Sequence, residues 1–151
     1  VVMDGKKFNL LQFHFHTPSE HTAKGSPYPI ELHMVHQSDD GQLGVIGVFF
    51  KEGARNKALS TVWKRANDHI GMEHTPEGVT INAADFLPAD RTHHNYSGSL
   101  TTPPCSENVN WNVMVTPLEA SSAQIKKLQK LFKANARPVQ KLHGRSLSIM
   151  K

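Results

Sequence analysis

The sequence predicts a mainly β domain, and three observations carry that prediction. Residues 11–16 and 31–36 alternate in polarity with the two-residue period of a strand. Residues 43–50, Leu-Gly-Val-Ile-Gly-Val-Phe-Phe, form an almost unbroken apolar run, as a strand covered on both faces does. Helical spacing recurs over only two longer stretches, 56–70 and 121–132. The 151 residues suit one domain, and 38% hydrophobic with 20% charged residues describes an ordinary globular chain.

The elements follow in order. Asp4-Gly5 between apolar residues marks a tight hairpin turn, with Val1-Val2-Met3 ending one arm. A chain that starts inside a hairpin arm, without an initiator methionine, is expected to be the back portion of a larger domain. In the next strand Gln12, His14 and His16 share one face, and Leu11, Phe13 and Phe15 the other. Thr17-Pro18-Ser19 and Lys24-Gly25-Ser26-Pro27 break regular structure and turn the chain back. Glu31, His33 and Val35 then share a face opposite Leu32, Met34 and His36.

Asp39–Gln42 is a turn before the apolar strand. Leu59, Val62, Trp63, Ala66 and Ile70 predict an amphipathic helix, with Trp63 read as core. Val79–Ile81 predicts a short strand, Ala84–Pro88 a helical turn and Arg91–Tyr96 an extended segment. Ser97–Cys105 is expected to be a loop, and Val109–Val115 a strand. Ser121 with Gln124 fits a capping box, ahead of an apolar stripe of Ile125, Leu128, Leu131 and Phe132. The tail from Arg137 reads as coil ending in a closing strand near Leu147–Met150.

Folded back on each other, the first two strands bring His14, His16 and His33 together. Three neutral imidazoles with a fourth position left to water is how catalytic zinc sites are built. Gln12 and Glu31 each precede a histidine by two residues on the same face. They are the candidates to take the histidines' other ring N–H, as residues behind a metal ligand do.

The net charge of +4 is spread along the chain, with no long basic run, so it reads as solvated surface and nucleic acid is not an expected partner. No segment reads as membrane-spanning, and a membrane partner is not expected either. With one cysteine, no disulfide closes within this chain.

Phe13-His14-Phe15-His16, Ser19-Glu20-His21, Glu31-Leu32-His33 and Ser99-Leu100-Thr101-Thr102-Pro103-Pro104-Cys105 resemble, in matching order, the motifs of the α-class carbonic anhydrases. The last block is the most specific, and its cysteine resembles the secreted bacterial members. The resemblance implies a large twisted, mostly antiparallel sheet with peripheral helices, of which residues 1–151 form the C-terminal portion. It implies Zn2+ as cofactor, held by His14, His16 and His33 with Gln12 and Glu31 behind them. Thr101 matches the family's gatekeeper threonine, which donates its proton to the carboxylate matched by Glu20. Val35, Val45, Leu100 and Trp111 match the apolar pocket for carbon dioxide, and Thr102 borders it.

The implied activity is reversible hydration of carbon dioxide to bicarbonate by zinc-bound hydroxide, inhibited by sulfonamides and small anions, in the periplasm or outside the cell. The family's proton-shuttling histidine, and the bacterial members' partner for Cys105, lie upstream of residue 1; a second chain supplying that segment and a homodimer are the protein partners this allows. His21 and His36 match family histidines with structural roles. Two other readings stay open. A cupin-type metal site would use His14, His16 and Glu20 as direct ligands. Alternatively, this fragment binds zinc with little or no turnover, as a binding module or one half of a split enzyme.

Overall fold

The computed structural model describes residues 1–65 and 77–151. Strand β1 (Val2–Met3) turns through Asp4-Gly5, both at positive φ, into β2 (Lys6–His16). The connection predicted as irregular contains a small hairpin, β3 (Thr22–Ala23) and β4 (Ser26–Pro27). It leads to β5 (Ile30–Ser38) and, after the predicted turn, β6 (Leu43–Glu52). Helix α1 (Lys57–Arg65) follows, then a single 3-10 turn (Ala83–Phe86), β7 (His93–Ser99) and β8 (Glu107–Met114). The chain closes with β9 (Leu118–Ala120), α2 (Ser122–Leu131) and β10 (Ser148–Met150).

Among the described residues eight strands form one sheet, in the order β1-β2-β5-β6-β8-β7-β10, with β9 paired to β6. Most pairings are antiparallel, as expected, but β6 runs parallel to both β8 and β9. Parallel neighbours need a long crossover, and the stretch from α1 through β7 provides the one to β8.

The sheet separates two apolar clusters. On one face Phe8, Phe15, Leu32, Met34, Val48 and Phe50 pack against Leu59 and Trp63 of α1 and Ile125 and Leu128 of α2. Each such side chain contributes roughly 1.5–3 kcal/mol by leaving water. The other cluster, Val35, Val45, Phe49, Val109, Trp111 and Val113, lies beside the histidines.

The helices form where the spacing placed them. Asn56 caps α1 by accepting from the Leu59 N–H, and the Trp63 indole donates to the Gln124 carbonyl on α2 at 3.0 Å. Ser121 and Gln124 make the predicted capping box. Ala66 and Ile70 lie outside the described residues.

Several expectations change. Leu11 does not join the buried face: Leu10 pairs with His36 but Gln12 with Val35, so a bulge at Leu11 leaves it unpaired and 56% exposed. Val79–Ile81 forms no strand, because three β-prone residues without a neighbouring ladder gain nothing from extension. Ser97–Ser99 belong to β7, since pairing with β8 overrides their turn propensity. Phe132 ends the α2 stripe at 44% exposure, beyond the last helical residue.

Candidate metal centre

Strand register brings the three histidines together. His14 on β2 lies directly opposite His33 on β5, and His16 lies opposite Glu31. The three imidazoles offer nitrogens within 4.8 Å of one another. The remaining nitrogen of each ring has a partner that fixes which one is free. His14 Nδ1 donates to Gln12 Oε1 at 2.9 Å, and His33 Nε2 donates to Glu31 Oε1 at 2.9 Å. His16 Nδ1 faces the Asn135 carbonyl at 3.3 Å. This leaves Nε2 of His14, Nε2 of His16 and Nδ1 of His33 as lone pairs.

Among the described residues His16 Nε2, which is buried, has no hydrogen-bond partner. An orphaned buried lone pair is costly, and coordination to a cation is the interaction this one suits. The donor set therefore fits a metal ion.

Electrostatics favour the binding-competent protonation states. Burial first, then the neighbouring His33 and His16, holds the His14 ring down to about 4, with Glu31 opposing. Burial and His33 push His16 the same way, against Glu20. For Glu31, which is 0% exposed, burial alone would raise the carboxyl. Hydrogen bonds from His21 and His33 overcome that and hold it well below the usual carboxylate range. His14 and His16 are held neutral and Glu31 ionised.

Glu31 needs room at the neighbouring strand. Gly47 pairs with His33 from β6, and a Cβ there would stand 3.1 Å from Glu31 Oε1.

A cavity of about 220 Å³ opens beside the histidines. The predicted pocket residues all line it: Val35, Val45, Leu100, Thr102 and Trp111, together with Thr101, Gln12, His14 and His33. Val35 pairs with Val45 and Val45 with Trp111, so the wall is one row across three strands. Leu11 and Leu43 also line it, which the sequence reading did not propose; Leu11 is there because the bulge turns it out of the ladder. Thr101 and Thr102 are set by a loop closed through Leu100 N–H to the Ser106 carbonyl and Cys105 N–H to the Thr102 carbonyl, both 2.9 Å.

Glu20 reaches the site from the connection before β3. Its Oε1 accepts from the Arg137 backbone N–H at 2.8 Å, and its buried Oε2 has no hydrogen-bond partner among the described residues. Among the described residues no hydrogen bond joins Glu20 to Thr101. Glu20 stands behind the ring of His16, 3.4 Å from its Nδ1, and 3.9 Å from the free Nδ1 of His33, outside the three-histidine group. A cupin-type set of His14, His16 and Glu20 without His33 does not describe this geometry.

Asn135 and Arg137 are functional neighbours that the sequence reading missed. Asn135 also ties the end of β2, accepting from Thr17 N–H at 2.8 Å and donating to the Phe15 carbonyl at 3.0 Å. Both residues sit in irregular backbone about 120 positions from the histidines, where no periodicity signals a contact.

The family model described as eukaryotic-type carbonic anhydrase matches residues 2–151. The chain belongs to the α-carbonic anhydrase family. Among this carbonic anhydrase domain's relatives, a carbonic anhydrase of Nostoc sp. is 52% identical over 93% of the chain and 53% of its own length. One from Pectobacterium atrosepticum is 42% identical over 96% of the chain and 59% of its own. The α-carbonic anhydrase of Thermovibrio ammonificans, solved in complex with the inhibitor sulfanilamide, superposes with a TM-score of 0.93 at 46% identity, covering 97% of this chain and 65% of that one. The chain thus spans little more than half the length of these curated relatives.

Proposed function

We propose that this domain catalyses the reversible hydration of carbon dioxide to bicarbonate and a proton, with Zn2+ held by His14, His16 and His33. The observation that carries this reading is the convergence of three imidazole lone pairs, one orphaned in the interior, beside an apolar cavity. Zinc supplies Lewis acidity there and brings the pKa of bound water to about 7, a magnitude established on carbonic anhydrases themselves.

The chain's own residues do the rest. Gln12, Glu31 and the Asn135 carbonyl hold the rings in the ligating orientation. Val35, Val45, Leu100 and Trp111 receive carbon dioxide, which has no charge to grip and needs only an apolar wall. Thr102 borders the same cavity. Glu20 Oε2, buried and without a hydrogen-bond partner among the described residues, supplies the acceptor that a Thr101 hydroxyl requires. Once Thr101 donates to Glu20, its oxygen only accepts, so it selects and orients proton-bearing groups that arrive from the metal side.

Sulfonamides and small anions are expected to compete at the metal, as the Thermovibrio complex with sulfanilamide suggests by analogy. Residues 1–151 are read as the C-terminal portion of a complete domain, whose remaining strands come from the same or a second chain. Periplasmic or extracellular residence follows from the likeness of Pro103-Pro104-Cys105 to secreted bacterial members; fractionation of the source cells tests it.

The deciding experiment measures zinc content and carbon dioxide hydration of this chain, alone and joined to the remaining segment. Stoichiometric zinc with activity at least in the joined form is expected, and alanine at His14, His16 or His33 should abolish both. Zinc without turnover in either form would leave a binding module. Tight zinc retained in all three alanine variants would overturn the ligand assignment.

A further inference from the structure

Behind His33 an unbroken run of hydrogen bonds leads away from the metal centre to β7. Glu31 Oε2 accepts the backbone N–H groups of Glu20 and His21, each at 2.9 Å. Its Oε1 accepts from His21 Nδ1 at 2.6 Å and His33 Nε2 at 2.9 Å. An ionised carboxylate accepts only, so both imidazoles present N–H to it. A neutral His21 protonated at Nδ1 carries a lone pair on Nε2, which stands 2.7 Å from the Tyr96 hydroxyl. Tyr96 is therefore the donor that satisfies it. These tautomers follow from the network as a whole.

Tyr96 is itself held in place. Its ring stacks on Trp111, with centroids 6.2 Å apart and planes 11° from parallel, and the Arg145 guanidinium lies 5.5 Å from its centroid. Arg145 is tied by its own donors to the carbonyls of Leu142 and Lys141. The Trp111 indole also packs against His21, at 4.9 Å between centroids, so little space is left for water to replace the phenol.

We propose that Tyr96 is a positioning residue of the metal centre, fixing through His21 and Glu31 the tautomer in which His33 offers Nδ1 to the ion. This rests on reading His33 as a ligand. Without the hydroxyl, the Nε2 lone pair of His21 is left part-buried without a donor, and the ring loses the contact that holds it square to Glu31. The bond from His21 Nδ1 to Glu31 Oε1 then loosens, and the carboxylate that holds His33 shifts.

The test compares Tyr96→Phe with Tyr28→Phe, which removes a half-buried phenol outside this network. One readout is the 15N shifts of the His33 imidazole in the metal-free chain; the other is the zinc dissociation constant by chelator competition. The unaltered chain should show His33 protonated at Nε2 alone. Tyr96→Phe should give a mixture and weaken zinc about tenfold, the low end for residues behind a ligand, whereas Tyr28→Phe should change neither. In a His21→Ala background, Tyr96→Phe should add less than about twofold, because both changes act through one path.

Unchanged tautomer and affinity in Tyr96→Phe, or its full effect persisting without His21, would overturn the proposal. If neither the unaltered chain nor its joined form binds zinc, the reading of His33 as a zinc ligand fails. The nitrogen shifts still decide this one: His33 protonated at Nδ1 in the metal-free chain refutes it. Should His21→Ala not fold, the shifts of Tyr96→Phe decide alone.

Discussion

Replacing Gly47 by alanine adds one methyl group against the carboxylate that holds His33. The new Cβ would lie 3.1 Å from Glu31 Oε1 and 3.5 and 3.7 Å from the two γ-methyls of Val113. The valine contacts are ordinary; the carboxylate contact is tight, and Glu31 can yield only by stretching bonds to His21, His33 and the Glu20 N–H. Overpacking of this kind costs about 1–3 kcal/mol, and the reduced freedom of the unfolded chain returns about 0.4–1 kcal/mol. A net loss of about 0–2.6 kcal/mol follows, read as a lower urea midpoint of the metal-free protein, with weaker zinc binding. Gly44→Ala on the same strand is the control: its Cβ meets the sulfur of Met3 and the ring of Phe8, so it should lower stability without touching zinc affinity. If Gly47→Ala is neutral in both measurements, Glu31 is not clamped as described.

Thr101→Ala should retain stoichiometric zinc while lowering carbon dioxide hydration at least tenfold, the lower range for a lost positioning contact; stopped-flow turnover at unchanged metal content checks this. Ser121→Ala removes the acceptor for the Gln124 N–H and should cost about 1 kcal/mol in the urea midpoint, without effect on zinc. The metal-free protein should lose stability as pH falls below 6.5 toward about 4. In that window the unfolded chain takes up protons at His14, His16 and His36, while burial keeps the native rings neutral, so acid favours unfolding. Urea midpoints that do not change across that range would contradict it. Lys6 and Ser38 hold the exposed Asp40 carboxyl down to about 2, so its stabilising contribution is complete above its ordinary value near 3.8 and fades below. The gap between the original chain and Asp40→Asn should close as pH approaches 2.

Period and spacing made much of the site legible. Alternation alone placed His14 and His16 on the face opposite Phe13 and Phe15, and put Gln12 and Glu31 beside their histidines. Side chains two apart on a strand share a face whatever the rest of the chain does. The Ser121–Gln124 cap was equally readable, because both partners lie within one helical turn.

Where the reading failed, the deciding contact was distant. Leu11 left the buried face because a bulge against β5 shifted the ladder by one residue, which no pattern within β2 reveals. Val79–Ile81 has strand propensity but no neighbour, whereas Ser97–Ser99 has turn propensity and a neighbour in β8.

The sequence by itself determined the mainly β class and the three candidate ligands, because each is written in local periodicity, while the apolar residues of the wall came only from the family resemblance. Only the tertiary structure decided that β6 runs parallel to β8, that Asn135 closes the shell around His16 and that Arg137 holds Glu20. It alone decided that Tyr96 and Arg145 stand behind His33 through His21 and Glu31. Those contacts join residues far apart in the chain, and their energy appears only when strand register and chain return bring them within hydrogen-bond distance.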